Sequence, residues 1–140
     1  MKTLIIITSL LFSSIATAEF RMTAGSGHQY GGILGAQFAY QTPGSQYYLS
    51  VGLVGAAAGF QTTFEDNSKH AFGLSGGFEA ANSEDGFVFA TYNYHFQGFT
   101  ESGWLAGMGI GVRREDGGFY LDSGTKKTSG AITLDIGYKF

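Results

Sequence analysis

Residues 130–140, GAITLDIGYKF, change side-chain character at every step. Ile132, Leu134, Ile136, Tyr138 and Phe140 fall on one face of an extended chain. Ala131, Thr133, Asp135, Gly137 and Lys139 fall on the other. A strand repeats every two residues, so the segment reads as a strand with one bulky apolar face and one small or polar face. The contrast recurs upstream. Trp104, Ala106, Met108, Ile110 and Val112 oppose Leu105, Gly107, Gly109, Gly111 and Arg113. Phe72, Leu74, Gly76, Phe78 and Ala80 oppose Ala71, Gly73, Ser75, Gly77 and Glu79. Val88, Ala90, Tyr92, Tyr94 and Phe96 oppose Phe87, Phe89, Thr91, Asn93 and His95, and Leu34, Ala36, Phe38 and Tyr40 oppose Ile33, Gly35, Gln37 and Ala39.

The small face decides which side is inside. In a soluble barrel the bulky face points inward and the other face is rich in charge. Here charged residues are only 14% of the chain, against about 25% in soluble domains. Most of them cluster between the alternating segments. Small and polar side chains inside, with large apolar ones outside, is the pattern of a transmembrane β-barrel. Closing the sheet also removes unpaired edges, which lipid does not tolerate. The 23 glycines disfavour helices, and the absence of Cys excludes a disulfide framework or a thiolate metal site. A formal charge of -3 argues against a nucleic-acid binder, which carries a basic face.

Met1-Lys2, the apolar run LIIITSLLFSSI and Ala16-Thr17-Ala18 read as a secretory signal cleaved after Ala18. The run is too short to span a bilayer as a helix. The expected mature chain is residues 19–140. Its eight expected strands are Phe20–Gly27, Gly32–Tyr40, Gln46–Ala57, His70–Ala80, Phe87–Phe96, Gly103–Arg113, Gly118–Asp122 and Gly130–Phe140. The fold class expected is all-β: a closed, antiparallel, eight-stranded, up-and-down transmembrane barrel. The connections QTPGS, NSEDG and REDGG would be periplasmic turns, with the others facing outward. Aromatic residues mark two interfaces: Phe20, Tyr40, Tyr47, Phe78, Phe119 and Phe140 near the periplasmic ends, and Tyr30, Phe60, Phe72, Phe96 and Trp104 near the outer ends.

With its signal segment, its Gly-aromatic alternation and its last strand ITLDIGYKF, the chain resembles the small eight-stranded outer-membrane proteins of Gram-negative bacteria. The resemblance implies that Tyr138 and Phe140 form a C-terminal assembly signal read by the barrel-assembly machinery, with periplasmic chaperones acting during biogenesis. It implies an outer-membrane location and contact with outer-membrane lipid and lipopolysaccharide. A monomer without cofactor or metal is expected.

Candidate chemistry is sparse. Arg21, Glu79, Arg113, Asp135 and Lys139 point inward. They read as a salt-bridged plug rather than an ion path, because eight strands leave a bore just filled by side chains. Glu79, Arg113, Asp135 and Lys139 are expected toward the periplasmic end. His28 and His70 read as solvated residues at strand tips. His95, on the inner face near the outer rim, invites a reading as a general base with Ser102 and Glu101 as partners. Barrels that deacylate lipid A carry a His and a Ser two residues apart on one strand, and Phe96-Gln97 after His95 lacks that pattern. Gly107 to Gly111 lie within a strand and are no phosphate cradle. Glu65, Asp66, Asn67 and Asp122 read as solvated loop groups.

The expected function is a non-catalytic structural, envelope or surface-interaction role. The alternatives are a narrow small-solute channel, a lipid A-modifying enzyme, and a soluble secreted ligand-binding barrel with the faces reversed.

Overall fold

Alternating β-branched and aromatic residues bounded by Gly, Pro, Asn and Ser clusters form strands along nearly the whole chain. The structure is a computed structural model that describes residues 18–79, 84–115 and 127–140. The strands are β1 (Glu19–Gly27), β2 (Gly32–Gln41), β3 (Ser45–Gly52), β4 (Gly55–Thr62), β5 (His70–Glu79), β6 (Glu84–His95), β7 (Gly103–Glu115) and β8 (Lys127–Lys139). One short 3-10 segment, η1 (His28–Tyr30), follows β1. Each strand pairs antiparallel with its sequence neighbour, and β1 pairs with β8, so the sheet closes into an up-and-down barrel. Among the described residues no helix is long and apolar enough to cross a membrane.

The register fixes the barrel's geometry. Cross-strand partners lead from Thr23 through Gln37, Ser50, Ala57, Gly77, Phe87 and Arg113 to Ser129. Thr23 itself pairs with Lys139, ten residues further along β8. Eight strands with a shear of ten tilt by roughly 40° and enclose a bore about one side chain deep.

The two faces separate as the alternation requires. Thr23, Gln37, Gln46, Ser50, Gln61, Asn93 and Asp135 are buried in the bore. Leu34, Val51, Leu74, Val88, Ile110 and Leu134 are exposed on the outer surface, with Ile132 reaching 75%. Ile33, expected on the inner face, is 72% exposed. The irregular β1–β2 pairing near Gly27 and the positive φ of Gly31 and Gly32 turn that strand end outward.

Two expectations about strands need correction. The expected third strand, Gln46–Ala57, is two strands, β3 and β4, joined by Leu53-Val54. The expected seventh, Gly118–Asp122, lies outside the described residues, and β7 pairs directly with β8. The count of eight therefore holds, but β5, β6 and β7 run opposite to the expected directions. The expected signal lies in residues 1–18, of which only Ala18 is described. The end where β1 begins and β8 stops is the proximal end. The connections 42–44, 63–69 and 96–102 share it, and η1 and Leu53-Val54 lie at the distal end.

Candidate functional site

The bore is filled from within by η1. Gly27, Gly31 and Gly32 have φ of 122°, 78° and 109°, values that L side chains rarely adopt. They fold His28-Gln29-Tyr30 back into the barrel instead of letting it stand as an outer loop. Gln29 is 1% exposed and Tyr30 2%. Gln29 is the hub. Its backbone N–H donates to Asp135 Oδ1 at 3.1 Å, and its Nε2 donates to Asp135 Oδ2 at 2.9 Å and Asn93 Oδ1 at 3.2 Å. Its Oε1 accepts from Asn93 Nδ2 at 3.1 Å, Gln61 Nε2 at 3.2 Å and the Tyr48 hydroxyl at 3.5 Å. Four strands are thereby tied to one side chain.

Inward glycines make the room. A Cβ at Gly25 would lie 2.7 Å from Tyr30 Cε2, and one at Gly107 would lie 3.0 Å from Gln29 Nε2. At Gly35 a Cβ would collide with the Tyr30 carbonyl. The inserted segment occupies the space that these glycines leave.

At the distal side of this hub, His28 shares a hydrogen bond between Nδ1 and the Thr133 hydroxyl at 3.0 Å. Its Nε2 lies 3.8 Å from Glu79 Oε1. The ring meets Phe87 and Phe89 edge-on at 5.1 and 5.2 Å. His28 is thus an internal residue, not the solvated tip expected of it. The loop turns inward, and the two phenyl rings hold the imidazole there.

The proximal mouth is closed by another segment. Phe99, in the connection 96–102, is fully buried. Its ring stacks edge-on against His95 at 5.1 Å and lies 4.9 Å from Lys139 Nζ. Its carbonyl accepts from Lys139 Nζ at 2.6 Å and from Gln41 Nε2. The three proximal connections are joined by backbone bonds: Thr63 N to Gly44 O, Asn67 N to Pro43 O and Phe99 N to Ser68 O. Asn67, with φ 54°, accepts the Thr100 N–H and hydroxyl on its Oδ1 at 2.9 and 2.7 Å.

The five expected lumen charges lie at three levels of the bore. Lys139 and Arg21 lie at the proximal end, where Arg21 pairs with Glu19 at 2.8 Å. Asp135 holds the Gln29 hub in the middle. Glu79 and Arg113 sit on the distal ends of β5 and β7, not at the end where they were expected. The reversal of β5 and β7 explains their displacement.

The aromatic residues move for the same reason. Phe60, Phe72, Phe96 and Trp104 join Phe20, Tyr40, Tyr47 and Phe140 at the proximal end. There they form a belt made of separate ring contacts, including Tyr47–Phe60, Phe72–Tyr92 and Trp104–Tyr138. Phe78 is distal, Tyr30 is internal, and Phe119 lies outside the described residues. Tyr138 and Phe140 are adjacent on the outer face, with ring centroids 5.2 Å apart.

His95 is buried, and its Nε2 has no hydrogen-bond partner. Glu101 and Ser102 are exposed and make no bond to it. His70 is exposed and bonds the Tyr92 hydroxyl at 2.7 Å. Among the described residues no group of three His, Asp or Glu side chains could hold a metal ion, and Asp122 lies outside them. Gln29 and Phe99, to which the sequence assigned no role, carry the organisation together with Tyr30, expected as an outer-end aromatic, and Asn93, expected only as an inward side chain. The available signal was the pair Gln29-Tyr30 flanked by glycines, set beside a bore with too few side chains to fill it. No family model, curated protein or solved structure matches this chain.

Proposed function

We propose that this chain is an integral outer-membrane β-barrel with a sealed bore, serving a structural, envelope or surface-interaction role without catalysis. The observation that carries the reading is a closed barrel with its polar side chains inside and a continuous apolar surface outside. Exposed apolar patches on soluble monomers rarely exceed a few hundred Å², and here the apolar band encircles the molecule. Outward residues of β8 run from Ile132 to Phe140. At about 3.3 Å per residue and a tilt near 40°, the band is roughly 20–25 Å high, close to the ~25 Å of outer-membrane barrels. One aromatic belt would mark the proximal interface.

The two plugs argue against conduction, and the isolated His95 argues against a hydrolytic relay. Outer-membrane lipid, lipopolysaccharide and the assembly machinery are the partners of this reading, with Tyr138 and Phe140 exposed for the last of these. The test is gel migration of the membrane fraction, unheated and boiled, followed by conductance in planar bilayers. A heat-dependent shift without current steps is expected. A protein that stays soluble without detergent would overturn the membrane reading, and regular current steps would favour a channel.

A further inference from the structure

The outer surface is not uniform. Along the seam of β6 and β7, small outward residues leave a groove between larger ones. Its distal part has a volume of about 280 Å³ and is lined by Gly86, Val88, Val112, Arg114 and Thr128. Nearer mid-barrel, a hollow of about 370 Å³ is lined by Ala90, Tyr92, Met108, Ile110 and Ile132. Outward positions alternate along β7 from Met108 to Arg114. At about 3.3 Å per residue and a tilt near 40°, that stretch rises roughly 15 Å, half of the ~30 Å hydrocarbon core. The seam therefore has the depth of one leaflet.

Arg114 stands at its distal end, exposed, and has no ion-pair partner among the described residues. Its cross-strand neighbours are Gly86 and Thr128, which bring no charge. A guanidinium at the rim of an apolar groove complements a phosphate headgroup whose acyl chain lies in the groove. The open space is also sterically real. A Cβ at Gly86 would meet only the Gly77 carbonyl, at 3.5 Å, whereas the inward glycines have no such room.

We propose that the β6–β7 seam is a binding site for an anionic, phosphate-bearing lipid of the distal leaflet, with phosphatidylglycerol as its probe. Arg114 and Thr128 hold the phosphate, and Val112, Val88, Ile110, Ala90 and Met108 hold one acyl chain. This rests on the membrane reading above.

The test is native mass spectrometry of the detergent-solubilised full chain with equal amounts of dioleoyl phosphatidylglycerol and dioleoyl phosphatidylcholine. Heat-shifted migration of each sample is checked first. Without that shift in the wild type, the membrane reading itself fails. With it, the wild type should retain phosphatidylglycerol about fivefold over phosphatidylcholine, the preference expected of one basic residue near a bilayer surface. Arg114→Gln should bring the ratio to about one. Gly86→Leu, which fills the groove and spares the charge, should lower retention of both lipids. Equal retention by the wild type, or a preference that survives Arg114→Gln, overturns the proposal. So does unchanged retention in a heat-shifted Gly86→Leu barrel.

Discussion

The distal half of the bore is filled by a segment whose polar side chain is bonded to four strands, whereas the proximal mouth is stopped by one buried phenyl ring. Gln29 makes directed bonds to Asp135, Asn93, Gln61 and Tyr48, and each of these has its own place on the wall. Phe99 makes its directed bonds only through its carbonyl, and its ring is held by packing. A polar hub fails when any group loses its partner. An apolar wedge fails only when its volume is removed. The difference predicts how each plug responds to substitution.

Gln29→Ala should have the largest effect. It leaves Asn93, Gln61 and one oxygen of Asp135 buried without their partner. Breaking such a network costs about 3–5 kcal/mol. Guanidinium unfolding of the detergent-held barrel should show a lower midpoint at unchanged slope. A loss below about 1 kcal/mol would mean that the wall groups satisfy one another without η1. The plug would then be a passenger rather than a fastener.

Phe99→Ala comes next, at about 3 kcal/mol for a buried phenyl ring. The same titration measures it. Because the ring closes a mouth rather than tying four strands, limited proteolysis should also find new cleavage within 96–102, while the barrel strands stay protected. Cleavage spread over the strands as well would show that the two plugs act as one unit.

The inside and outside of this molecule were legible in the sequence because period two survives any error in strand direction. β8 and β7 show it: Leu134 and Met108 are outward, Asp135 and Leu105 inward, as the alternation requires. Strand direction was not legible. The β3–β4 link is Leu53-Val54, two aliphatic residues where turn chemistry would call for Asn, Asp or Pro. Its signal is only the flanking Gly52 and Gly55. Both are needed because other backbone comes so close: a Cβ at Gly52 would collide with the Gly31 carbonyl, and one at Gly55 with the Phe78 carbonyl of β5. That approach is tertiary and leaves no local pattern. The inserted segment was hidden for a related reason. Empty space around Gly25, Gly107 and Gly137 could be counted from the sequence. Which way His28-Gln29-Tyr30 turns depends on φ at Gly27 and Gly31, and glycine records no preference.

The smallest effect should come from Lys139→Met, and it is the sharpest test of the contrast between the plugs. Lys139 is 1% exposed. Its Nζ donates to the Phe99 carbonyl at 2.6 Å and to Gln41 Oε1 at 3.4 Å, and no carboxylate pairs with it among the described residues. Burying an ammonium without a counter-charge is costly, so its two hydrogen bonds and its place over the Phe99 ring do little more than offset desolvation. Met has similar length, keeps the contact with the ring and needs no partner. The Phe99 carbonyl retains the Gln41 amide as donor. The net change should therefore stay within about 1 kcal/mol of zero, the usual range for volume-conserving exchanges. Lys139→Ala, which removes the packing as well, should cost more than Lys139→Met by about 2 kcal/mol. If Lys139→Met instead costs as much as Gln29→Ala, the ammonium anchors the proximal plug, and both ends of the bore are closed by polar fastening.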